Sequence, residues 1–464
     1  MTSTISPTPA PPTVRLLTRE HLPVVAGIMA LVTLGAFENR AVMSILPSVV
    51  QHLDGWALFG ASSGAPLVTF TIATAYAGGW TDRVGPRPVL LAGVSAFVLA
   101  QVTSGLAPSM GVFVAGRALS GIGEALIDTA LYVLIAQVLP DRLRANVFAT
   151  FAAAWVLPSL LGPSAAGALD ALAGWRAVFV GPLLVVPLAL WLLRTALTQT
   201  HAPDAPAQDR EGRARLRSGA ALAAGLVGMT FTGPLVADPR MRTLGLALAG
   251  AGLLVLLLAG SRLLPSGTAT LRTGLPSVVA LRFVTSVAFT GIGGLIPLML
   301  VQTHGLGPAL AGASMSVTGT LWAVGSWLNS THWAQRLRPS TRLRASFLLM
   351  ALGSLGPVLL ALDHLGLLAG LSLWALAALG MGVNSPTLSV EVLALAPSAE
   401  QGRAAAALGL ATSMGVAVPT GLGGTVVALQ GASTIGPTFA ALMTLGGVVA
   451  AFGALAAGRI SPRR

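Results

Sequence analysis

Long apolar runs recur along the whole of this 464-residue chain, parted only by short polar turns, and few folds tolerate that pattern. A bilayer core takes roughly 20 apolar residues per helix, with a working range of about 17 to 25. Runs at 22–53, 58–80, 89–107, 110–139, 145–169 and 177–193 qualify, and an arginine-rich polar stretch at 194–217 follows them. Two more lie at 218–237 and 243–260, then a last six at 283–301, 309–329, 345–362, 367–395, 404–429 and 435–457. Six, two and six predict an all-α membrane protein with fourteen transmembrane helices. Pro234, Arg240 and Arg242 leave a re-entrant or surface-lying hairpin open for the middle pair.

The breaks set out the expected organisation. A disordered cytosolic tail covers 1–20, and a six-helix bundle covers 21–197. A cytoplasmic linker at 198–217 leads to the extra helix pair at 218–260, and a second linker covers 261–274. The second six-helix bundle runs over 275–458, and a cytosolic tail closes the chain at 459–464. The first apolar run is too long for the core of a cleavable signal.

Only 9% of residues are charged, against about a quarter in a soluble domain. A net charge of +12 invites a nucleic-acid reading, but all 27 basic residues are arginines and most sit in short loops on alternate sides of apolar runs. With the N-terminus inside, cytoplasmic segments hold 22 arginines and outside loops hold three, Arg176, Arg240 and Arg242. That is the positive-inside bias of a multi-pass protein of the cell membrane, with both termini cytoplasmic. The absence of cysteine excludes disulfides, thiolate metal sites and cysteine catalysis.

The chain also repeats itself at an offset of about 250 residues. Ile45-Leu46-Pro47 aligns with Leu295-Ile296-Pro297, Trp80 through Pro86 with Trp333 through Pro339, and Gly121-Ile122-Gly123 with Gly380-Met381-Gly382. Related six-helix halves place a cavity between them near the midplane, and rocking of the halves gives alternating access.

Ionisable groups inside spans are costly and mark function. Glu38 and Arg40 lie in the first run, and Arg117, Glu124 and Asp128 in the fourth. Arg117, Gly121, Glu124 and Asp128 fall at i, i+4, i+7 and i+11, one stripe of a helix. Carboxylates at i and i+4 repel if both ionise, so one is expected to hold a proton. The competing reading makes these arginines and acids packing ion pairs. The six histidines all lie in loops or at run ends, which argues against a histidine relay and a buried metal site.

Between the second and third runs, Gly78-Gly79-Trp80-Thr81-Asp82-Arg83-Val84-Gly85-Pro86-Arg87-Pro88 forms a hinge with one acid and two arginines. Its degenerate copy holds Gln335 where Asp82 stands, followed by Arg336. Asp82 can pair with Arg83, with Arg87 or with a helix N-terminus such as the one near Arg403.

The hinge, with Asp82, Arg83, Gly85 and Arg87, resembles the signature loop of the major facilitator superfamily. Arg117 with Gly121 and Gly123 is similar to that family's fourth-helix motif, which implies proton coupling. Gly162-Pro163-Ser164-Ala165-Ala166-Gly167 resembles the fifth-helix motif of its antiporters, implying a bend at Gly162, Pro163 and Gly167; Ala166 departs from the usual glycine. Glu38 through Pro47 resembles the first-helix motif of fourteen-helix drug:proton antiporters, with Glu38 for aspartate and Arg40 for threonine. That positional match ranks Glu38 first as proton carrier.

The expectation is a secondary transporter exporting amphipathic or drug-like small molecules in exchange for protons. An importer or lipid exporter of the same fold is the alternative. A membrane-embedded enzyme would need a clustered catalytic or metal-binding set, which the loops lack. Trp155 and Trp322, each mid-run, are candidates to face the substrate. The expected partners are the substrate, the proton and the bilayer; the chain is expected to be monomeric, without nucleic acid, cofactor or metal.

Overall fold

The structure, a computed structural model, describes residues 21–54, 58–201, 212–230, 232–306, 316–429 and 435–460. These residues form helices throughout. Helix α1 spans Leu22–His52, α2 Phe59–Val84, α3 Pro86–Gly105, α4 Met110–Val138 and α5 Asp141–Ala173. Short α6 (Trp175–Val180) leads through a 3-10 turn into α7 (Val185–Gln199). Then come α8 (Gly212–Thr230), short α9 (Gly233–Ala237) and α10 (Arg242–Leu263). The second half begins with α11 (Leu275–Thr285), a π-turn at Ser286–Gly291 and α12 (Ile296–His304). It continues with α13 (Ser316–Ser330), short α14 (His332–Arg336), α15 (Pro339–Ala361), α16 (Leu367–Leu395), α17 (Gln401–Ala428) and α18 (Ile435–Ala456).

Local chemistry sets the breaks. Proline opens α1, α3, α11, α12 and α15, where the N–H it lacks would have no helical partner. The α2–α3 turn is made by Gly85 at φ 81°, a left-handed backbone that favours glycine. Gly174 at φ 79° does the same between α5 and α6.

Both halves share one packing plan. In the first, α4 lies against α2 and α3, and α1 against α5 and α7. In the second, α16 lies against α13 and α15, and α11 with its π-turn against α17 and α18. The halves meet along two crossed seams, α2 with α17 and α5 with α13. Helices α8 and α10 pack on each other and onto the α2–α17 seam, where Leu222, Leu226 and Leu256 meet Ala75, Leu410 and Met414.

The structure meets these expectations in part. Ten helical stretches among the described residues are long and apolar enough to cross a membrane, so apolar length alone does not reach fourteen. Helices α2, α5, α8 and α13 fall outside that set. In α2 the reason is local: Thr71, Thr74 and Thr81 donate to carbonyls one turn back, at 2.7–2.8 Å. Such hydroxyls lower the hydropathy of a span without leaving a polar group unpaired. The linker expected at 198–217 is shorter, because Arg213, Arg215 and Arg217 already ride on α8. Within the run expected at 218–237, the described residues form α8 as far as Thr230 and the short helix α9. The tail at 1–20 lies outside the described residues.

The repeat also slips. Gly121 faces Pro66 and Thr69 of α2, and Gly123 faces Gly93 and Phe97 of α3. Gly380 faces Ser346 and Met350 of α15, the counterpart of α3, while Gly382 faces Trp322 and Ser326 of α13, the counterpart of α2. The spatial counterpart of Gly121 is therefore Gly382, two residues beyond the chain-order pairing. The same register sets Glu124 opposite Ser385 and Asp128 opposite Ser389.

Candidate functional site

Helix α4 carries a polar stripe through the first half. At its start Arg117 forms an ion pair with Glu38 of α1, both buried at 3% and 5% exposure. Arg117 Nε also donates to the Ser62 carbonyl of α2 at 3.4 Å. A charge pair this enclosed is held by mutual neutralisation, since either partner alone would be an uncompensated buried ion.

Two turns on, Glu124 Oε1 accepts from Asn39 Nδ2 at 2.9 Å. Asn39 also donates to the Gly35 carbonyl at 3.2 Å. Gly35 packs beside this bond, where even an added Cβ would make only ordinary contact with Glu124 Oε1, at 3.7 Å. One turn further Asp128 makes no hydrogen bond or ion pair with the described residues, and its side chain reaches solvent. Glu124 and Asp128 line a cavity of about 40 Å³ with Gly35, Asn39, Phe97 and Trp155. A water needs roughly 10–15 Å³ on this measure. The cavity therefore has room for a few waters and is far short of the roughly 300 Å³ a drug-sized ligand needs.

Across the seam the halves are latched on the arginine-rich face. Asp82, near the end of α2, accepts from the Gly402 amide at 2.6 Å and the Arg403 amide at 2.9 Å. Arg403 Nε stands 3.9 Å from the same carboxylate. Those amides belong to the first turn of α17, where N–H groups have no helical acceptor and the helix dipole favours an anion. Of the three partners the sequence allowed Asp82, the structure shows the helix N-terminus. Gly78 lets the helices touch, since a Cβ would lie 2.5 Å from the Gly402 carbonyl. Nearby, Tyr132 of α4 hydrogen-bonds Ser389 of α16 at 3.1 Å, a second polar contact between the halves.

The other hinge residues point elsewhere. Arg83 lies back along its own helix, donating to the Gly79 carbonyl at 3.1 Å and the Tyr76 hydroxyl at 3.2 Å. Arg87 is exposed. Arg336 contacts His332 at 3.0 Å within its own turn, and Gln335 donates to the Asn329 carbonyl at 2.6 Å. The second copy of the hinge is thus closed on itself.

The structure gathers Glu124, Asp128 and Trp155 at one cavity and sets Glu38 with Arg117 beside it. Trp322 lies apart from that cavity, 6.2 Å edge-on from Phe289, which stacks on Trp374. Helix α5 runs unbroken through Gly162 and Gly167, and a Cβ at Gly167 would meet nothing within 4 Å. The side chains of Arg40 and Pro163 lie outside the described residues.

Sequence reasoning missed Asn39, Tyr132 and two arginines. Arg282 and Arg342, counted as loop charges, are buried within α11 and α15 at 5% and 7% exposure. Arg342 donates to Asn329 Oδ1 at 3.0 Å and is acted on by Glu391. Arg282 donates to Ser385 Oγ and Ser389 Oγ, both at 2.9 Å. A carboxamide beside Glu38 and an arginine followed at once by an apolar run were the signals available.

The chain matches the profile of the Major Facilitator Superfamily over residues 28–420. It is 28% identical over 417 residues to a probable multidrug-efflux transporter of Mycobacterium tuberculosis, covering 87% of this chain and 86% of the relative. It is also 28% identical over 363 residues to the multidrug efflux pump LfrA of Mycolicibacterium smegmatis, covering 74% of this chain and 68% of the relative. Among solved structures, the fold resembles the human organic anion transporter MFSD10 with TM-score 0.66 at 16% identity, over 93% of this chain and all of that one. It likewise resembles the proton:xylose symporter XylE with TM-score 0.65 at 18% identity, over 94% of each chain.

Proposed function

We propose that this chain, which belongs to the major facilitator superfamily and is a transporter rather than an enzyme, exports amphipathic, drug-like molecules in exchange for protons. The observation that carries the reading is Asp128. It is a carboxylate without an ion pair among the described residues, one helical turn from Glu124, on a water-sized cavity walled by Trp155. The multidrug-efflux relatives support the substrate class.

In this reading Asp128 is the proton carrier, with Glu124 as its like-charged neighbour. Glu38, favoured by its place nine residues before Pro47, is instead engaged by Arg117 and holds α1 to α4. Loading and release of the proton at Asp128 bias the rocking of the halves, and the Asp82 latch closes the arginine-rich face while the opposite face opens. That arginine-rich face is cytoplasmic in our reading, with fourteen spans in the cell membrane and both termini inside. The proton gradient drives the cycle without a cofactor, in a monomer.

Purified protein in proteoliposomes with an imposed pH gradient tests the reading. Wild-type protein is expected to accumulate ethidium against its gradient. Asp128→Asn is expected to lose that accumulation while keeping downhill exchange. Full gradient-driven accumulation by the Glu38, Glu124 and Asp128 amide variants alike would refute antiport and favour a uniporter.

A further inference from the structure

Among the described residues three arginines are buried in the helical core, and their surroundings differ. Arg117 has Glu38 as its ion-pair partner, and Arg342 has Glu391 as its electrostatic neighbour. Arg282 has only neutral partners among the described residues: the hydroxyls of Ser385 and Ser389, and the Ser385 carbonyl at 3.4 Å. Its Nε has no acceptor among the described residues. A guanidinium out of water with no carboxylate nearby is a costly arrangement, tolerated where a counter-charge arrives from outside the chain.

Its position says where such a charge would come from. Arg282 is seven residues into α11, Tyr132 six from the end of α4, and Ser389 six from the end of α16. At 1.5 Å per residue all three sit at a depth of about 9–11 Å from the arginine-rich face. Ser389 is shared, bonded both to Arg282 and to Tyr132 across the seam. When the halves part on this face, the Tyr132–Ser389 contact opens. Arg282 then becomes a cation on the wall of the opened cleft, backed by two hydroxyls able to turn their protons toward a ligand.

The repeat register sharpens the contrast. The helix positions that carry Glu124 and Asp128 in the first half carry Ser385 and Ser389 in the second. One half presents acids, and its counterpart presents hydroxyls gathered on an arginine.

We propose that Arg282, with Ser385 and Ser389, is a binding site for an anionic group of the substrate, a carboxylate or sulfonate on an amphipathic body, engaged while the arginine-rich face is open. A guanidinium fork flanked by hydroxyl donors matches two acidic oxygens. The proposal rests on the transporter reading and adds amphipathic anions to the molecules it takes.

Equilibrium binding separates the proposal from coupling. Carboxyfluorescein and ethidium serve as an anionic and a cationic amphipathic probe, titrated by fluorescence polarisation against the purified full chain. Carboxyfluorescein is expected to bind wild-type protein more tightly than ethidium does. Arg282→Gln is expected to weaken carboxyfluorescein on the order of ten- to a hundredfold, the loss of a charged hydrogen-bonding group. Arg282→Lys, which keeps the charge but not the fork, should recover part of that loss. The melting temperature of Arg282→Gln should not fall, since the change removes a buried charge that lacks a counter-ion. Unchanged carboxyfluorescein affinity in Arg282→Gln would overturn the proposal. So would an equal loss for both probes, or wild-type protein that binds ethidium alone. Failure of proton-driven accumulation with the binding pattern intact would overturn antiport and leave the anion site standing.

Discussion

Replacing Asp82 by alanine should unlatch the arginine-rich face, and the structure sets the size of the effect. The carboxylate satisfies the amides of Gly402 and Arg403 at 2.6 and 2.9 Å. Gly402 is buried and Arg403 partly so. In Asp82→Ala the closed state would enclose both donors without an acceptor, while in the open state water would satisfy them. An orphaned buried donor costs about 1–3 kcal/mol; with one amide only partly enclosed, the pair comes to roughly 2–4 kcal/mol. At about 1.4 kcal/mol per decade, that is a 30- to 1,000-fold shift away from the closed state. The chain has no cysteine, so spin labels can be placed directly. Val84→Cys on α2 and Ser398→Cys just before α17 are both exposed. The distance between them, measured by electron–electron double resonance, should lengthen in Asp82→Ala, and transport should fall while expression holds. Gln335→Ala removes a bond confined to the α13–α14 turn and should leave both distance and transport near wild type. Identical distance distributions in the two variants would refute the latch.

The remaining predictions concern packing and charge. Glu38→Gln should lower thermal stability, because it strands Arg117; breaking a buried pair costs about 3–5 kcal/mol. The double change Glu38→Gln with Arg117→Leu should recover most of that loss in a detergent melt, and no recovery would mean the pair does not hold α1 to α4. Gly78→Val should abolish efflux at normal expression, since even a Cβ would stand 2.8 Å from the Ala406 methyl across the seam. Gly111→Ala, with nothing within 4 Å of its added carbon, should be silent in the same assay or slightly stabilising, by up to about 1 kcal/mol from helix propensity. Gly167→Ala should also transport normally, because its face of α5 is open; a strong defect there would show that another state packs against it.

Much of the fold was legible because the bilayer imposes it. Apolar length places α4 and α16 almost to the residue, and Gly85-Pro86 marks a turn that only glycine's left-handed φ makes easy. The α4 stripe was legible too, since spacing on one helix is arithmetic. What lay outside the sequence was everything decided between helices. Spacing puts Arg117, Glu124 and Asp128 on one stripe and the motif match ranks Glu38 first, but neither says that Arg117 takes Glu38 and Asn39 takes Glu124. Arg282 was hidden by a boundary: a span begun at Phe283 turns the arginine before it into a flank, whereas α11 starts at Leu275. The two-residue slip between α4 and α16 was hidden for a similar reason. Two residues turn a helix by about 200°, so glycines paired by chain order face opposite neighbours.

That slip changes what the duplication means. Under chain-order pairing the second half merely loses the acids of the first. Under the contact-based register, the helix positions of Glu124 and Asp128 are occupied by hydroxyls that Arg282 gathers. Tyr132, one turn beyond Asp128, reaches across the seam to Ser389, the spatial counterpart of Asp128 itself. The two polar centres therefore differ in sign yet are joined by one hydrogen bond that rocking must break. If Asp128 carries the proton and Arg282 the anion, separation at that bond opens the anion site, and closure re-forms the path from Ser389 to the turn below Asp128. Tyr132→Phe removes the bond without altering either charged centre. It should weaken the dependence of anion binding on proton occupancy while leaving carboxyfluorescein affinity at saturating proton concentration within about threefold of wild type, a difference of roughly 0.7 kcal/mol. Carboxyfluorescein titrations across a pH series would measure this. A pH dependence in Tyr132→Phe identical to that of wild type would show that the halves are coupled by another route.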